Sequence, residues 1–226
     1  MDERKELILN TIIKEHIKTG LPVSSGVLVE KYKLNISPAT VRNEMAILEE
    51  EEYIIQPHTS AGRIPTEKAY KLFIDNVQIK KINKSDQACL EELLEESSEE
   101  NLKNVAKKLA SLSGTTVFWA FHRHNLYYTG ISNLLQQPEF SELNIIYDIS
   151  AIIDRIDEII NDVFDEIEDG INIRIGSDSP FGDFSGTIMA KYKIGEHESL
   201  FGILSPVRMD YEKNLTLINF VYNKLK

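Results

Sequence analysis

ISPATVRNEMAILEEEEYIIQPHTSAGRIPT, residues 36–66, decides how the chain is read. Ser37 is placed to accept a hydrogen bond from a first-turn amide, and Pro38 stands at the first helical position, where a missing N–H costs nothing. Ile36 and Val41 can close a hydrophobic staple across that cap. Val41, Met45 and Leu48 recur at i, i+4 and i+7, so one stripe is apolar and Ala39, Thr40, Arg42, Asn43 and Ala46 are turned away from it. The spacing predicts a short helix with a small, polar, singly basic outer face. Such a face fits a DNA major groove: Arg bonds a guanine edge twice, Asn an adenine edge, and Thr reaches a phosphate or a thymine methyl. The acidic run Glu49–Glu52 is expected to end the helix and to face away from phosphates, which it would repel.

Tyr53–His58 reads as a strand, Thr59–Arg63 as a polar turn with Gly62 at the tip, and Ile64 and Pro65 as the returning strand, with Pro protecting an edge. Together these make a wing with Arg63 as its charge. Upstream, Asp2 caps a helix with Ile8, Ile12, Ile13 and Ile17 on one side, ended by Gly20 in αL and by Pro22. Ser24 or Ser25 caps a second helix with Leu28 and Tyr32 packed, and residues 33–35 make a tight turn. Thr66 caps a further helix whose Tyr70, Phe73, Ile74 and Val77 cover the small core. The expected DNA-binding residues are therefore Ser37, Ala39, Thr40, Arg42 and Asn43 on the helix, with His58, Thr59, Ser60, Gly62 and Arg63 on the hairpin. An ordinary capped segment would account for the helix alone; the basic-tipped hairpin and two preceding helices favour the DNA reading.

The 226 residues, 42% of them hydrophobic, suffice for one or two domains with real cores. Of 25 Lys+Arg and 36 Asp+Glu, residues 1–81 hold 12 and 12, which leaves 13 and 24 for the rest. A neutral front and an acidic rear predict that nucleic acid binds at the front, through a local patch. The single Cys89 excludes an intrachain disulfide framework and points to a reducing, cytoplasmic location. No apolar run approaches the roughly 18 residues that span a bilayer, so neither a signal peptide nor a membrane helix is expected.

Behind the front part, residues 82–113 read as two helices, with Leu90, Leu93 and Leu94 in the first, Leu102, Val105, Ala106 and Leu109 in the second, and Ser97 with Glu100 as a capping box. Thr115–Phe121 and Leu126–Ile131 are strands by composition, and a long helix carries Ile152, Ile156, Ile159, Ile160, Val163 and Ile167 up to Gly170. Residues 171–175, 185–194 and 199–204 are strands, the last two joined by a turn at 195–197, and the closing helix buries Leu215, Ile218 and Val221. The fold class is α+β: an antiparallel sheet with helices on one face. His122 and His124 lack a third metal ligand nearby, Asp178 and Asp183 read as loop caps, and Arg208 with Asp210 as a helix cap and its ion pair. No catalytic residue, metal or cofactor is expected, so the chain is not read as an enzyme.

LPVSS at 21–25, ISPATVRNEMAILEEE and QPHTSAGRIPT resemble the N-terminal domain of the HrcA family, heat-inducible transcription repressors of bacteria. SNLLQQPEF at 132–140, INIRIGSDSP at 171–180 and LFGILSPVRMDY at 200–211 resemble its carboxyl part, in the family's order. The resemblance implies a winged helix-turn-helix at 1–78, a helical linker at 79–104 and a GAF-like regulatory domain at 105–226. It implies a repressor of heat-shock chaperone operons that binds double-stranded DNA at an inverted-repeat operator of the CIRCE type. It further implies a homodimer and regulation through the chaperonin of the GroE system. Three departures stand out. Gly26 replaces a basic residue, Glu52 replaces a glycine and puts strain on an αL turn, and the family's inserted dimerising domain is missing after Thr115–Phe121. Dimerisation then falls to the helices at 86–110, with Leu90, Leu93 and Leu94 near the contact, or to a sheet edge; the same leucines can instead cover the sheet within one chain. Competing readings are a winged-helix regulator that senses a small molecule in its second domain, and a protein-interaction adaptor that has lost DNA binding, which Gly26 and the acidic balance favour.

Overall fold

The protein is described by a computed structural model over residues 1–33, 36–59, 61–138, 150–194 and 197–226. Ser60, residues 34–35 of the first expected turn, residues 139–140 of the SNLLQQPEF stretch and residues 195–196 of the expected hairpin turn lie outside these. The chain divides into two compact units, Met1–Val77 and Gln78–Lys226.

The first unit is built from α1 (Glu3–Thr19), α2 (Ser25–Tyr32), α3 (Pro38–Glu50), the short strands β1 (Ile54–Ile55) and β2 (Ile64–Pro65), and α4 (Glu67–Asp75). Each helix starts where a side chain answers an orphan amide: Asp2 accepts from Lys5 N, Ser24 from Val27 N, Ser37 from Thr40 N and Thr66 from Ala69 N. Ile8, Leu9, Ile12, Ile13, Leu28, Val41, Met45, Leu48, Ile54, Tyr70 and Phe73 are buried and form the core. The buried Glu15 of α1 accepts from Lys31 Nζ and, at 2.8 Å, from the Tyr32 hydroxyl, which ties α1 to α2. Lys31 holds the Glu15 carboxyl below its usual range, and burial, with the bond to Glu15 second, pushes Tyr32 up to about 12.

The turn out of α3 keeps the geometry that favours glycine, although Glu52 occupies it with φ +63. Tyr53 N donates to Leu48 O at 2.9 Å and Glu52 N to Glu49 O at 3.0 Å, the bond pair of a Schellman end. The Thr66 hydroxyl braces the strained residue by donating to Glu52 O at 2.7 Å and lies 3.1 Å from Tyr53 O.

The second unit runs α5 (Lys84–Leu93), α6 (Glu99–Ser113), β3 (Thr116–His122), β4 (Asn125–Thr129), α7 (Ile131–Leu135), α8 (Ile156–Glu166), β5 (Gly170–Ile175), β6 (Ser185–Ile194), β7 (His197–Pro206) and α9 (Tyr211–Leu225). The five strands form one antiparallel sheet in the order β4-β3-β7-β6-β5. α+β is therefore the observed class, but helices cover both faces instead of one. Phe118, Ala120, Met189, Leu200 and Leu204 pack with Leu134 of α7 and Ile160, Val163 and Phe164 of α8. On the opposite face Trp119 stacks on Phe201 at 4.5 Å, Lys103 of α6 lies over Phe121, and Tyr211 of α9 sits against Gly186. TVFWAF at 116–121 carries bulky apolar groups at successive positions, the pattern of a strand buried on both sides.

Four further expectations change. The cap of α6 is Ser98, accepting from Asn101 N, not Ser97. The expected long helix is interrupted at Arg155 (φ −112, ψ 11), between helical residues 150–154 and α8, although the isoleucine stripe runs on through the break. It also stops at Glu166, short of Gly170, where the buried Lys191 Nζ donates to Phe164 O at 2.8 Å and meets the negative end of the helix. Leu217 is buried on α9 where Leu215 was expected, beside Ile218 and Val221. Residues 79–104, read as a linker, supply α5 to the second unit: Leu90 is fully buried, Asp86 pairs with Lys108 at 2.8 Å and Glu91 with Lys224 at 2.8 Å. Leu93 and Leu94 are half-buried.

Candidate nucleic-acid interface

Ser37 begins α3 in an extended conformation (φ −71, ψ 154), its Oγ accepting from Thr40 N at 3.1 Å and lying 2.9 Å from Thr40 Oγ1. Burial of Val41, Met45 and Leu48 sets the rotation of the helix, so Ala39, Arg42, Asn43 and Ala46 emerge exposed, with Thr40 half-buried beside them. Among the described residues, neither Arg42 nor Asn43 has a hydrogen-bond or ion-pair partner. Both carry free bonding capacity on the outer face of a rigid helix, next to its positive N-terminal end.

The hairpin is organised differently from the expected strand–tip–strand. Regular pairing is confined to Ile54↔Pro65 and Ile55↔Ile64. Arg63 does not stand at the tip: its backbone pairs with Val23, N–H to O at 2.8 Å in both directions, which adds a third extended segment to the pair. Gly62 makes this possible, because a Cβ there would lie 2.4 Å from Val23 O. The Arg63 side chain is turned back onto α3, with Nε and Nη2 each 2.8 Å from Glu49 Oε2. The hairpin loop is held by Gln56, whose Nε2 donates to Thr59 O at 3.1 Å and Ala61 O at 2.9 Å. His58 and Thr59 are exposed on it. Ser60 belongs to the part outside the described residues.

Helix and hairpin together enclose an open cleft of about 350 Å³, lined among others by Ser24 and Ser25 at the start of α2, Arg42, Gln56, Thr59 and Arg63. The structure thus brings Arg42, Thr59, Gly62 and Arg63 to one cleft, beside the exposed Asn43 and Ala39. Two of the four acids at the end of α3 are paired in place: Glu49 with Arg63, and Glu51 with Lys5 at 3.0 Å, whose ammonium that bond pushes up. Sequence reading missed Glu49, Gln56 and Val23; an acid and an amide flanking a hairpin are common, and only their juxtaposition gives them a role.

Other candidates resolve into structural roles. His122 ends β3 with its Nδ1 3.4 Å from His124 N, and among the described residues no three His, Cys, Asp or Glu converge as a metal site. Asp210 caps α9 by accepting from Lys213 N, while Arg208 donates to Gln137 Oε1 at 2.9 Å. Two of the quoted carboxyl motifs therefore meet each other. Asn133 of the SNLL stretch donates to Thr115 O at 3.1 Å and Ala110 O at 3.3 Å, joining the end of α6 to β3. No helix among the described residues is long and apolar enough to cross a membrane.

Comparison with known proteins gives four findings. A family model described as "HrcA protein C terminal domain" matches residues 35–215. Heat-inducible transcription repressor HrcA of Acidothermus cellulolyticus is 50% identical over 95 residues, 42% of this chain and 28% of that protein. The protein of the same name from Natranaerobius thermophilus is 26% identical over 328 aligned positions, 98% of this chain and 95% of that protein. In the first alignment the chain spans little more than a quarter of its relative; in the second, the 328 positions exceed the chain's 226 residues by 102, so at least that many have no counterpart here. A solved structure described as "Crystal structure of a hypothetical protein at 2.2 A resolution" shares the fold, with TM-score 0.77 over 100% of this chain and 97% of that one at 18% identity.

Proposed function

Because this chain belongs to the HrcA family, whose model matches it over residues 35–215, we propose that it is a DNA-binding transcription repressor of heat-shock genes. In this reading the first unit is a winged helix-turn-helix with α3 as its recognition helix, and the second is a GAF-like regulatory domain. The operator is an inverted repeat of the CIRCE type, controlling chaperone operons in the cytoplasm. The observation that carries the proposal is the pair Arg42 and Asn43, exposed and unpartnered among the described residues on a helix rotated by its own core stripe. Ser37, Ala39 and Thr40 lie alongside at the helix start, and on the hairpin the reading assigns DNA-backbone contacts to His58, Thr59, Ser60 and Gly62. A mobility shift of the whole protein on inverted-repeat DNA, repeated across salt concentrations, tests it: a repressor shows a specific complex whose affinity falls steeply with salt. Equal, weak binding to every sequence would favour the adaptor reading.

Two copies are required, because an inverted repeat presents half-sites related by a two-fold axis. With Leu90 in the core, the contact on α5 is left to the half-buried Leu93 and Leu94. The expected result in sedimentation is a dimer that Leu93→Glu with Leu94→Glu dissociates; a parent that stays monomeric at tens of micromolar and binds one half-site as well as two removes this part. Chaperonin of the GroE system is the proposed regulator, tested by whether adding it changes operator affinity.

Gly26 offers a gain-of-function check. It lies in the first turn of α2, exposed, and a Cβ there would meet only Ser24 Oγ, at 3.8 Å. Gly26→Lys should raise affinity for all DNA sequences alike and steepen the salt dependence by roughly one unit of log–log slope, the effect of one added phosphate contact. An unchanged slope would place the start of α2 away from the duplex.

A further inference from the structure

We infer that Glu49 is a positioning residue: its carboxylate sets the hairpin against the recognition helix, and Arg63 acts through Glu49 and not on a phosphate. The inference rests on the DNA-binding reading above. Glu49 stands in the last turn of α3, and each of its oxygens is used. Oε1 accepts from the backbone N of Gln56 at 3.0 Å, and Oε2 accepts from Arg63 Nε and Nη2 at 2.8 Å. One carboxylate therefore grips both arms of the hairpin, at the residue that leaves β1 and the residue that enters β2. Gln56, fixed by its own amide, then closes the hairpin loop by donating to Thr59 O and Ala61 O. On the return arm the backbone of Arg63 is locked to Val23. The chain of contacts runs from α3 through Glu49 to Gln56 and on to the loop that carries His58 and Thr59. The orientation of that loop relative to Arg42 and Asn43 is consequently written into one acidic side chain.

The pair is also where a free cation would be expected on an interface that meets phosphate. Arg63 has only 20% of its side chain exposed and Glu49 34%, and their charges cancel. A neutral pair in which two guanidinium nitrogens share one carboxylate oxygen adds geometry without adding to the counterion term.

Charge and geometry predict opposite signs for one substitution, which makes the test decisive. If Glu49 were merely an acid near DNA, or held Arg63 back from a phosphate, Glu49→Ala would strengthen binding to all sequences and steepen the salt slope by roughly one. As a positioning residue, its removal weakens specific operator binding about tenfold, the scale of one charge-assisted hydrogen bond, and leaves the salt slope unchanged. Glu49→Gln keeps one carbonyl oxygen and recovers part of the loss. Arg63→Met weakens the operator complex to a similar degree, and the double variant Glu49→Ala, Arg63→Met costs little more than either alone. A readout without DNA separates this inference from the repressor reading. Amide exchange of Gln56 and Ala61 in the whole protein should quicken in Glu49→Ala while the amides of α1 stay protected. Tighter binding with a steeper slope, or Gln56 exchange identical to the parent, overturns the positioning role. A parent that binds no DNA while Gln56 exchange still depends on Glu49 would fault the repressor reading and leave the brace standing.

Discussion

Arg42→Ala weakens binding to the selected operator by roughly 1–3 kcal/mol, about five- to 150-fold, and relaxes base preference at one position of each half-site. The magnitude is that of one bidentate contact to a base edge, and the position follows from the helix: Arg42 is adjacent to the buried Val41 and so points away from the core. The substitution removes nothing that holds the unit together, because Arg42 has no hydrogen-bond or ion-pair partner among the described residues. Alanine is also at least as good a helix former, so thermal stability should be unchanged or slightly raised. Loss of affinity at constant stability is thus the signature. Anisotropy titrations against operators varied one base pair at a time check it; equal affinity and an unaltered preference profile would show that α3 does not read the sequence.

Gly62→Ala produces the other large effect, through structure. The added Cβ would stand 2.4 Å from Val23 O, 2.5 Å from Val23 C and 2.8 Å from Val23 N. These are backbone atoms, held by the two Val23–Arg63 hydrogen bonds, and cannot swing aside like the end of a long side chain. The hairpin must therefore lift off the segment before α2. Overpacking of this kind costs about 1–3 kcal/mol, which for a unit of this size lowers the midpoint of thermal unfolding by several degrees or more. Operator binding should fall further than stability alone explains, since the cleft between α2, α3 and the hairpin is dismantled. Calorimetry alongside mobility shifts measures both. A first-unit transition at the parent temperature would mean that Gly62 is not seated on Val23.

Much of the first unit was legible because its signals are local. A serine followed by proline, a glycine after a histidine-containing turn, and apolar residues at i, i+4 and i+7 act within a few residues, and the caps at Asp2, Ser37 and Thr66 and the buried face of α3 appear where the pattern places them. Arg42 and Asn43 as candidates follow from the same pattern. Arg63 shows the limit. A basic residue after a glycine in a polar turn suggests a charged tip, yet its partner Glu49 is 14 residues away and becomes visible only when α3 and the hairpin are packed together. Glu52 shows a second limit: a non-glycine residue there reads from sequence only as strain on an αL turn, while in the structure it adopts φ +63 and Thr66, 14 residues on, holds its carbonyl in place.

The second unit divides the same way. Strand and helix types were readable from β-branched runs and isoleucine stripes, whereas the expected cap Ser97 gives way to its neighbour Ser98, a choice between adjacent serines that local pattern does not make. Which faces of the sheet are covered is a question about distant elements. The run TVFWAF is equally apolar on both sides, so composition does not say that α7 and α8 close one face while α6 and α9 close the other. By itself the sequence determined the family motifs, the capped recognition-helix candidate and the division between a neutral front and an acidic rear, all properties of neighbouring residues or of sums over them. Tertiary structure alone decided that Arg63 faces Glu49, that Gln56 closes the hairpin loop and that Lys191 meets the end of α8. The first and last are hydrogen bonds between groups 14 and 27 residues apart, and Gln56, only a few residues from its acceptors, is itself placed by Glu49; each bond depends on a geometry that exists only after the core has brought the groups together.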